Sequence, residues 1–338
     1  MWLDDGRTGE GWTDETVRDY KSNISRFLLW CANEQVEEVG ELTPWDIELF
    51  RQDRQNDTVR SGEKIAPSTL RGSMMTLKQF VDYLVRIGGV DDEVGEAAAE
   101  AVPTLSKEDA TSDDMLNAED ALALLDYYRN SARDRATDRH VVLEILWHTG
   151  CRRGGIRALD LEDYHPEERT LTFVNRPESG TRLKRGDDGE RTVLLSPTVC
   201  EVIDEYIARE RYQKRDEYGR EPLLSFRQDR PSVATIQSKS YLATQPCVYR
   251  ECPHGERPRE CLFRERTHSS KCPSSRSPHA VRTGSITWHR DRGVPIEETA
   301  TRVNATADTI EKYYDKADAD QELERRRQYT ENLDITEN

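Results

Sequence analysis

A chain of 338 residues is long enough for two domains, each with its own core. It has no run of eighteen apolar residues, and its first residues, MWLDDGRTGEGW, lack the basic start and apolar stretch of a secretory signal; the expectation is a soluble, cytoplasmic protein with no membrane partner. A formal charge of -16 argues against any polyanion held by long-range attraction.

The charge has an unusual make-up: 65 Asp and Glu stand against 49 basic residues, of which ten are Lys and 39 are Arg. An acidic surface poor in Lys suits a protein kept soluble in high salt, so the expected source is a halophilic archaeon. In such a solvent long-range fields are screened, and phosphate contact falls to short-range Arg forks.

Residues 13–34 read as an amphipathic helix, with Val17, Tyr20, Ile24, Phe27, Leu28 and Cys31 spaced by three and four and Thr13 as N-cap. A second helix starts at Thr43, where Pro44 fits the first turn and Asp46 completes a capping box. A third runs from about Pro67 to Ile87, apolar at Leu70, Met74, Leu77, Phe80, Val81, Leu84 and Ile87, and Gly88-Gly89 ends it. These predict an all-helical domain over residues 1–95. Residues 88–114 are acidic and small. They read as a linker, bounded at 96–115, either with a short helix in the Ala-rich part or as a disordered acidic segment.

A second domain over residues 116–330 begins at Asn117, an N-cap with Asp120 three residues on. The helix at 141–150, VVLEILWHTG, is apolar at nearly every position and reads as buried at the domain centre. Gly150 then allows a sharp turn that presents Cys151, Arg152 and Arg153. Strands are expected at 170–174 and 191–195, joined by a Gly- and Asp-rich loop that carries Lys184. A helix from Pro197 to about Tyr212 follows, then polar, irregular sequence over 213–246 and a short tail at 331–338.

Cys31, Cys151 and Cys200 stand alone and read as packing residues. The other four, Cys247, Cys252, Cys261 and Cys272, fall with His254 in an insert at 245–275. They supply enough ligands for a tetrahedral structural zinc ion, which would hold folded a charged segment that cannot bury a core of its own. Four cysteines are the favoured set, with His254 as the alternative fourth ligand.

The stretch after Ser277 carries His279 and Arg282 at i and i+3, one helix face where both can point at a single anion. Near the end stand Tyr313 and Tyr314. An Arg after a T-G turn, a Lys on a β-hairpin, an H-x-x-R box and a late Tyr, in this order, resemble the tyrosine recombinase (phage integrase) family over residues 116–318.

The resemblance implies a mainly α fold with a small antiparallel β-sheet: a helical N-terminal domain that binds core DNA, and a catalytic domain. It implies site-specific integrase chemistry on double-stranded DNA through a 3'-phosphotyrosine, without ATP, a catalytic metal or any other catalytic cofactor, by a homo-oligomer, a tetramer, on DNA. Arg152 and Arg282 match the two phosphate-clamping arginines, Lys184 the acid for the leaving 5'-oxygen and His279 the box histidine. Tyr314 matches the nucleophile, because a Tyr-Asp step after TIEKY resembles archaeal members, with Tyr313 as the alternative. Asn304 stands where the family has His or Trp, Gly155 where it has an acid three residues after the first Arg, and Thr283 where a His is frequent. Trp288 or His289 could substitute in space for the missing partner. The alternative function is a recombinase-like DNA-binding regulator that has lost catalysis.

Overall fold

The computed structural model describes residues 1–58, 64–106, 114–227 and 229–313, with residues 323 and 327 beyond them. The chain divides into two compact units, Met1–Ser112 and Asp113–Asn338.

In the first unit α1 (Trp2–Gly9), α2 (Asp14–Asn33), α3 (Pro44–Asn56), α4 (Pro67–Arg86) and α5 (Asp92–Glu100) follow one another. Thr13 caps α2 by accepting from the Thr16 amide at 3.2 Å. Thr43 and Asp46 form the reciprocal box that starts α3, with the Thr43 amide donating to Asp46 Oδ2 at 2.8 Å. Phe27, Cys31, Ile47, Phe50, Met74, Leu77 and Val81 meet in one core.

Leu28 lies in register with the apolar face of α2 yet is 48% exposed. The Ala-rich part of the expected linker is helical, and Val94, Ala98 and Ala101 join the first core. Alanines allow this close approach because they lose no rotamer freedom. The short α1 carries no sequence period of its own. It is held by rings: Trp2 stacks on Tyr20 at 5.6 Å and meets Trp12 edge-on at 5.2 Å.

The second unit begins with α6 (Ala118–Asn130), capped by Asn117, which accepts from the Asp120 amide at 2.7 Å. Its central element is α7 (Asp138–Thr149), buried from His140 through Trp147. Two polar side chains in that buried run are satisfied together. Glu144 takes Arg129 as a fork at 2.7 and 2.9 Å, His140 at 3.1 Å and His148 at 3.2 Å.

After α8 (Arg153–Ala158) come β1 (Tyr164–His165), β2 (Thr170–Phe173) and β3 (Arg191–Leu194), an antiparallel sheet in the order β1-β2-β3. Leu171 pairs with Val193 and Phe173 with Arg191. Next are α9 (Pro197–Arg209), α10 (Val233–Ala243), α11 (Pro278–Asp291), α12 (Ile296–Val303) and α13 (Ala307–Tyr313). Helices α6, α8, α9, α10 and α11 all pack on α7. The polar stretch expected to be irregular contains α10. Its buried side is only Ile236, Ser240 and Ala243, a strip too narrow and too polar to announce a helix. Arg230, inside that stretch, joins Asp160 and Asp216, all three nearly or fully buried.

Candidate active site

Helix α7 ends at Gly150 in the left-handed region, φ 57°, where a Cβ would stand 2.6 Å from Val303 Cγ1. That turn buries Cys151 and sets Arg152 as the N-cap of α8. Helix α11 begins with Ser277 accepting from the Ala280 amide at 3.1 Å and Pro278 in its first turn, so His279 and Arg282 lie one turn apart.

The arginines from these two helices meet at one corner. Arg152 Nη1 donates to the Asn304 carbonyl at 2.6 Å. Arg282, 1% exposed, donates through Nη1 to the carbonyls of Val303 and Gly150. Two further arginines use the same corner, which sequence reasoning did not select. Arg302 donates to the His148 carbonyl from Nε and Nη2, at 2.8 and 2.6 Å. Arg191 donates to the carbonyls of Arg302 at 2.8 Å and Gly189 at 3.0 Å, and lies over the Phe173 ring at 4.0 Å.

Apart from Gly189, the acceptors are the last carbonyls of α7 and α12 and of their C-caps, which have no partner inside their own helices and carry the negative pole of each. Helix ends thus supply the acceptors that gather the guanidinium groups. Burial first, and then the charges of Arg282, Arg152 and Arg302, push the Arg191 pKa down, while Cys151 opposes. His279 reaches solvent at one side. Its partial burial, followed by the Arg282 and Arg152 charges, holds its pKa below the ordinary value.

Lys184 is exposed on the connection between β2 and β3, and its carbonyl accepts from Asn304 Nδ2 at 3.0 Å. Asn304 is the left-handed C-cap of α12, φ 55°, and is 8% exposed. His289 and Trp288, the two candidates to substitute for it, both lie on α11. His289 is buried, donates from Nδ1 to the Ser285 carbonyl at 2.7 Å, and is pushed down to about 4 mainly by burial. Trp288 packs edge-on to His289 at 4.9 Å and against Trp147 at 5.7 Å. A Cβ at Gly155 would lie 3.5 Å from Phe173, the ring that Arg191 covers. Tyr314 lies outside the described residues, and α13 is described to Tyr313.

The four cysteines of the insert, Cys247, Cys252, Cys261 and Cys272, are expected to hold zinc; among the described residues no group of three or more His, Cys, Asp or Glu is placed to hold a metal ion, so the geometry lends that expectation no support. Other bonds hold the segment. Gln245 Nε2 donates to the Phe263 carbonyl at 2.7 Å, the Ser275 hydroxyl to the Ser269 and Cys272 carbonyls at 2.9 Å, and Arg264 to Cys247 Sγ at 3.4 Å. Cys272 is buried, and burial first, then the nearby Cys247 and Cys252, push its thiol pKa up. His254 faces the Ser274 hydroxyl at 2.9 Å.

No family model matches the chain. An integrase of transposon Tn1549, solved with transposon right end DNA, superposes with a TM-score of 0.65 at 14% identity over 98% of each chain. The fold is that of the tyrosine recombinases. Lambda integrase, solved as a dimer bound to a COC' core site, agrees with a TM-score of 0.55 at 13% identity over 96% of this chain and 76% of its own.

In sequence, a Methanocaldococcus jannaschii protein named "Probable integrase/recombinase" is 25% identical over 64% of this chain and 61% of its own length. Tyrosine recombinase XerC 2 of Ralstonia nicotianae is 24% identical over 60% of this chain and 54% of its own. The match thus spans little more than half the length of these two relatives. Within the tyrosine recombinase fold of this chain, the arginine corner lies in the second unit, and no helix among the described residues is long and apolar enough to cross a membrane.

Proposed function

We propose that this chain is a site-specific tyrosine recombinase, an integrase of a mobile element, that cuts and rejoins double-stranded DNA. One observation carries the reading: Arg152 and Arg282, 130 positions apart in the sequence, donate to the adjacent carbonyls of Asn304 and Val303. Two fixed guanidinium groups in one place form a clamp for the non-bridging oxygens of a phosphodiester, where charge builds during attack at phosphorus.

In the proposed reaction the hydroxyl of Tyr314 attacks phosphorus, the new bond joins that oxygen to the 3'-phosphate, and the bond to the 5'-oxygen breaks. Lys184 gives a proton to the departing 5'-oxygen, which would otherwise leave as an alkoxide. His279, whose neutral form is favoured by its partial burial and the Arg282 and Arg152 charges, is suited to accept the tyrosine proton. Rejoining reverses these steps. Residues 1–95 serve as the core-binding domain, residues 116–330 as the catalytic domain, and the active assembly is a homotetramer on DNA. The 65 acidic against 49 basic residues support work in molar salt. Zinc binding by the four cysteines rests on their spacing alone, and metal analysis of the purified chain decides it: one ion per chain supports it and none refutes it.

A suicide DNA duplex, nicked beside the cleavage position, tests the proposal. The wild-type chain should form a covalent adduct in high salt and Tyr314→Phe should abolish it, while Tyr313→Phe should not. Specific DNA binding with no wild-type adduct would refute strand transfer and leave a DNA-binding regulator.

A further inference from the structure

Asn304 has no side chain able to transfer a proton, yet both its main chain and its side chain are engaged with groups assigned to the reaction. Its carbonyl receives Arg152 at 2.6 Å and its Nδ2 donates to the Lys184 carbonyl at 3.0 Å. The residue is 8% exposed and left-handed at φ 55°, a conformation that Asn tolerates and most side chains avoid.

Two neighbours fit around the bond to Lys184. A Cβ at Gly189 would stand 2.8 Å from both Asn304 Nδ2 and the Lys184 carbonyl, so glycine there leaves the bond its space. On the other side the Leu183 amide donates to Asn175 Oδ1 at 2.9 Å. The backbone at 183–184 is therefore fastened at successive residues, one end to the hairpin and the other to the end of α12. The Lys184 side chain itself is exposed, and free rotation about its long stem would spread the ammonium over many positions if the backbone also moved.

We propose that Asn304 is a positioning residue for leaving-group protonation: it fastens the Lys184 loop to the same corner that receives Arg152, so that acid and phosphate clamp keep a common register. The inference rests on the recombinase reading above. A one-residue brace suits this task, because proton transfer fails when the donor is misplaced by about an ångström.

The test is single-turnover adduct formation on two nicked suicide duplexes, one with the natural 5'-bridging oxygen and one with sulfur in its place. A thiolate, whose acid has a pKa of about 8.5, leaves without a proton. Asn304→Gly keeps the left-handed turn and the carbonyl and loses the brace. Asn304→Asp keeps the shape and turns the donor into an acceptor. On the oxygen substrate both variants should be slowed roughly 10- to 100-fold, part of the range for general acid catalysis, and on the sulfur substrate they should come within about threefold of wild type. Lys184→Ala should be rescued by sulfur in the same way, and Arg152→Ala should not.

Equal losses on both substrates, or no loss on oxygen, would overturn the positioning role while a wild-type adduct kept the recombinase reading intact. Absence of any wild-type adduct on either substrate would overturn the reading itself and this inference with it.

Discussion

Replacing Gly150 by Ala should damage stability and the site through one backbone position. At φ 57° an L side chain costs about 1–2 kcal/mol relative to glycine. The new Cβ would lie 2.6 Å from Val303 Cγ1 and 3.4 Å from Ser285 Oγ, and Val303 is fully buried with no room to retreat. Overpacking of this kind adds about 1–3 kcal/mol, so the expected loss is about 2–5 kcal/mol.

The Gly150 carbonyl also receives Arg282, and Arg152 follows two residues later, so protein that still folds should form adduct poorly. Denaturant unfolding of the second unit at fixed salt gives the first quantity, and adduct formation well below the melting temperature gives the second. Gly154→Ala is the control. Gly154 lies inside α8, and an added Cβ there meets nothing within 4 Å, so this change should be neutral or stabilising by about 0.5–1 kcal/mol. Gly150→Ala unfolding within about 0.5 kcal/mol of wild type would refute the claim that this turn is conformationally and sterically closed.

Glu144→Gln should destabilise the second unit by about 3 kcal/mol, because Arg129, His140 and His148 would lose a fully buried carboxylate. Burial alone would raise the Glu144 pKa, but hydrogen bonds from His140, His148 and Arg129 outweigh it and hold the folded value well below the usual carboxylate range. Its stabilising effect is therefore complete above the unfolded value of about 4.3 and is lost as pH falls below that. Acid unfolding monitored by circular dichroism should be flatter below about pH 4.3 in Glu144→Gln, and an unchanged acid limb would contradict the assignment. Gly284→Ala should also unfold the second unit early, since its Cβ would stand 1.8 Å from the Leu116 carbonyl; a melting temperature equal to wild type would show that this segment yields easily.

Sequence alone settled the features that depend on neighbours a few residues apart. Thr13, Thr43 and Asn117 cap helices because a side-chain oxygen and an amide three residues on meet in any helix start. The nearly continuous apolar run of α7, interrupted by Glu144, forced it inside, and the left-handed Gly150 followed from the lack of a Cβ. Even there periodicity overreached, for Leu28 keeps the spacing of a core residue and faces solvent.

Only the tertiary structure decided what the last carbonyls of α7 and α12 receive. Arg191 is an unremarked first residue of a strand in the sequence, and it joins Arg152, Arg282 and Arg302 because chain segments more than a hundred residues apart bring two helix ends together. The cysteines mark the same limit: sequence counts four thiols at 247, 252, 261 and 272, whereas ligation depends on their convergence, which belongs to packing rather than to spacing.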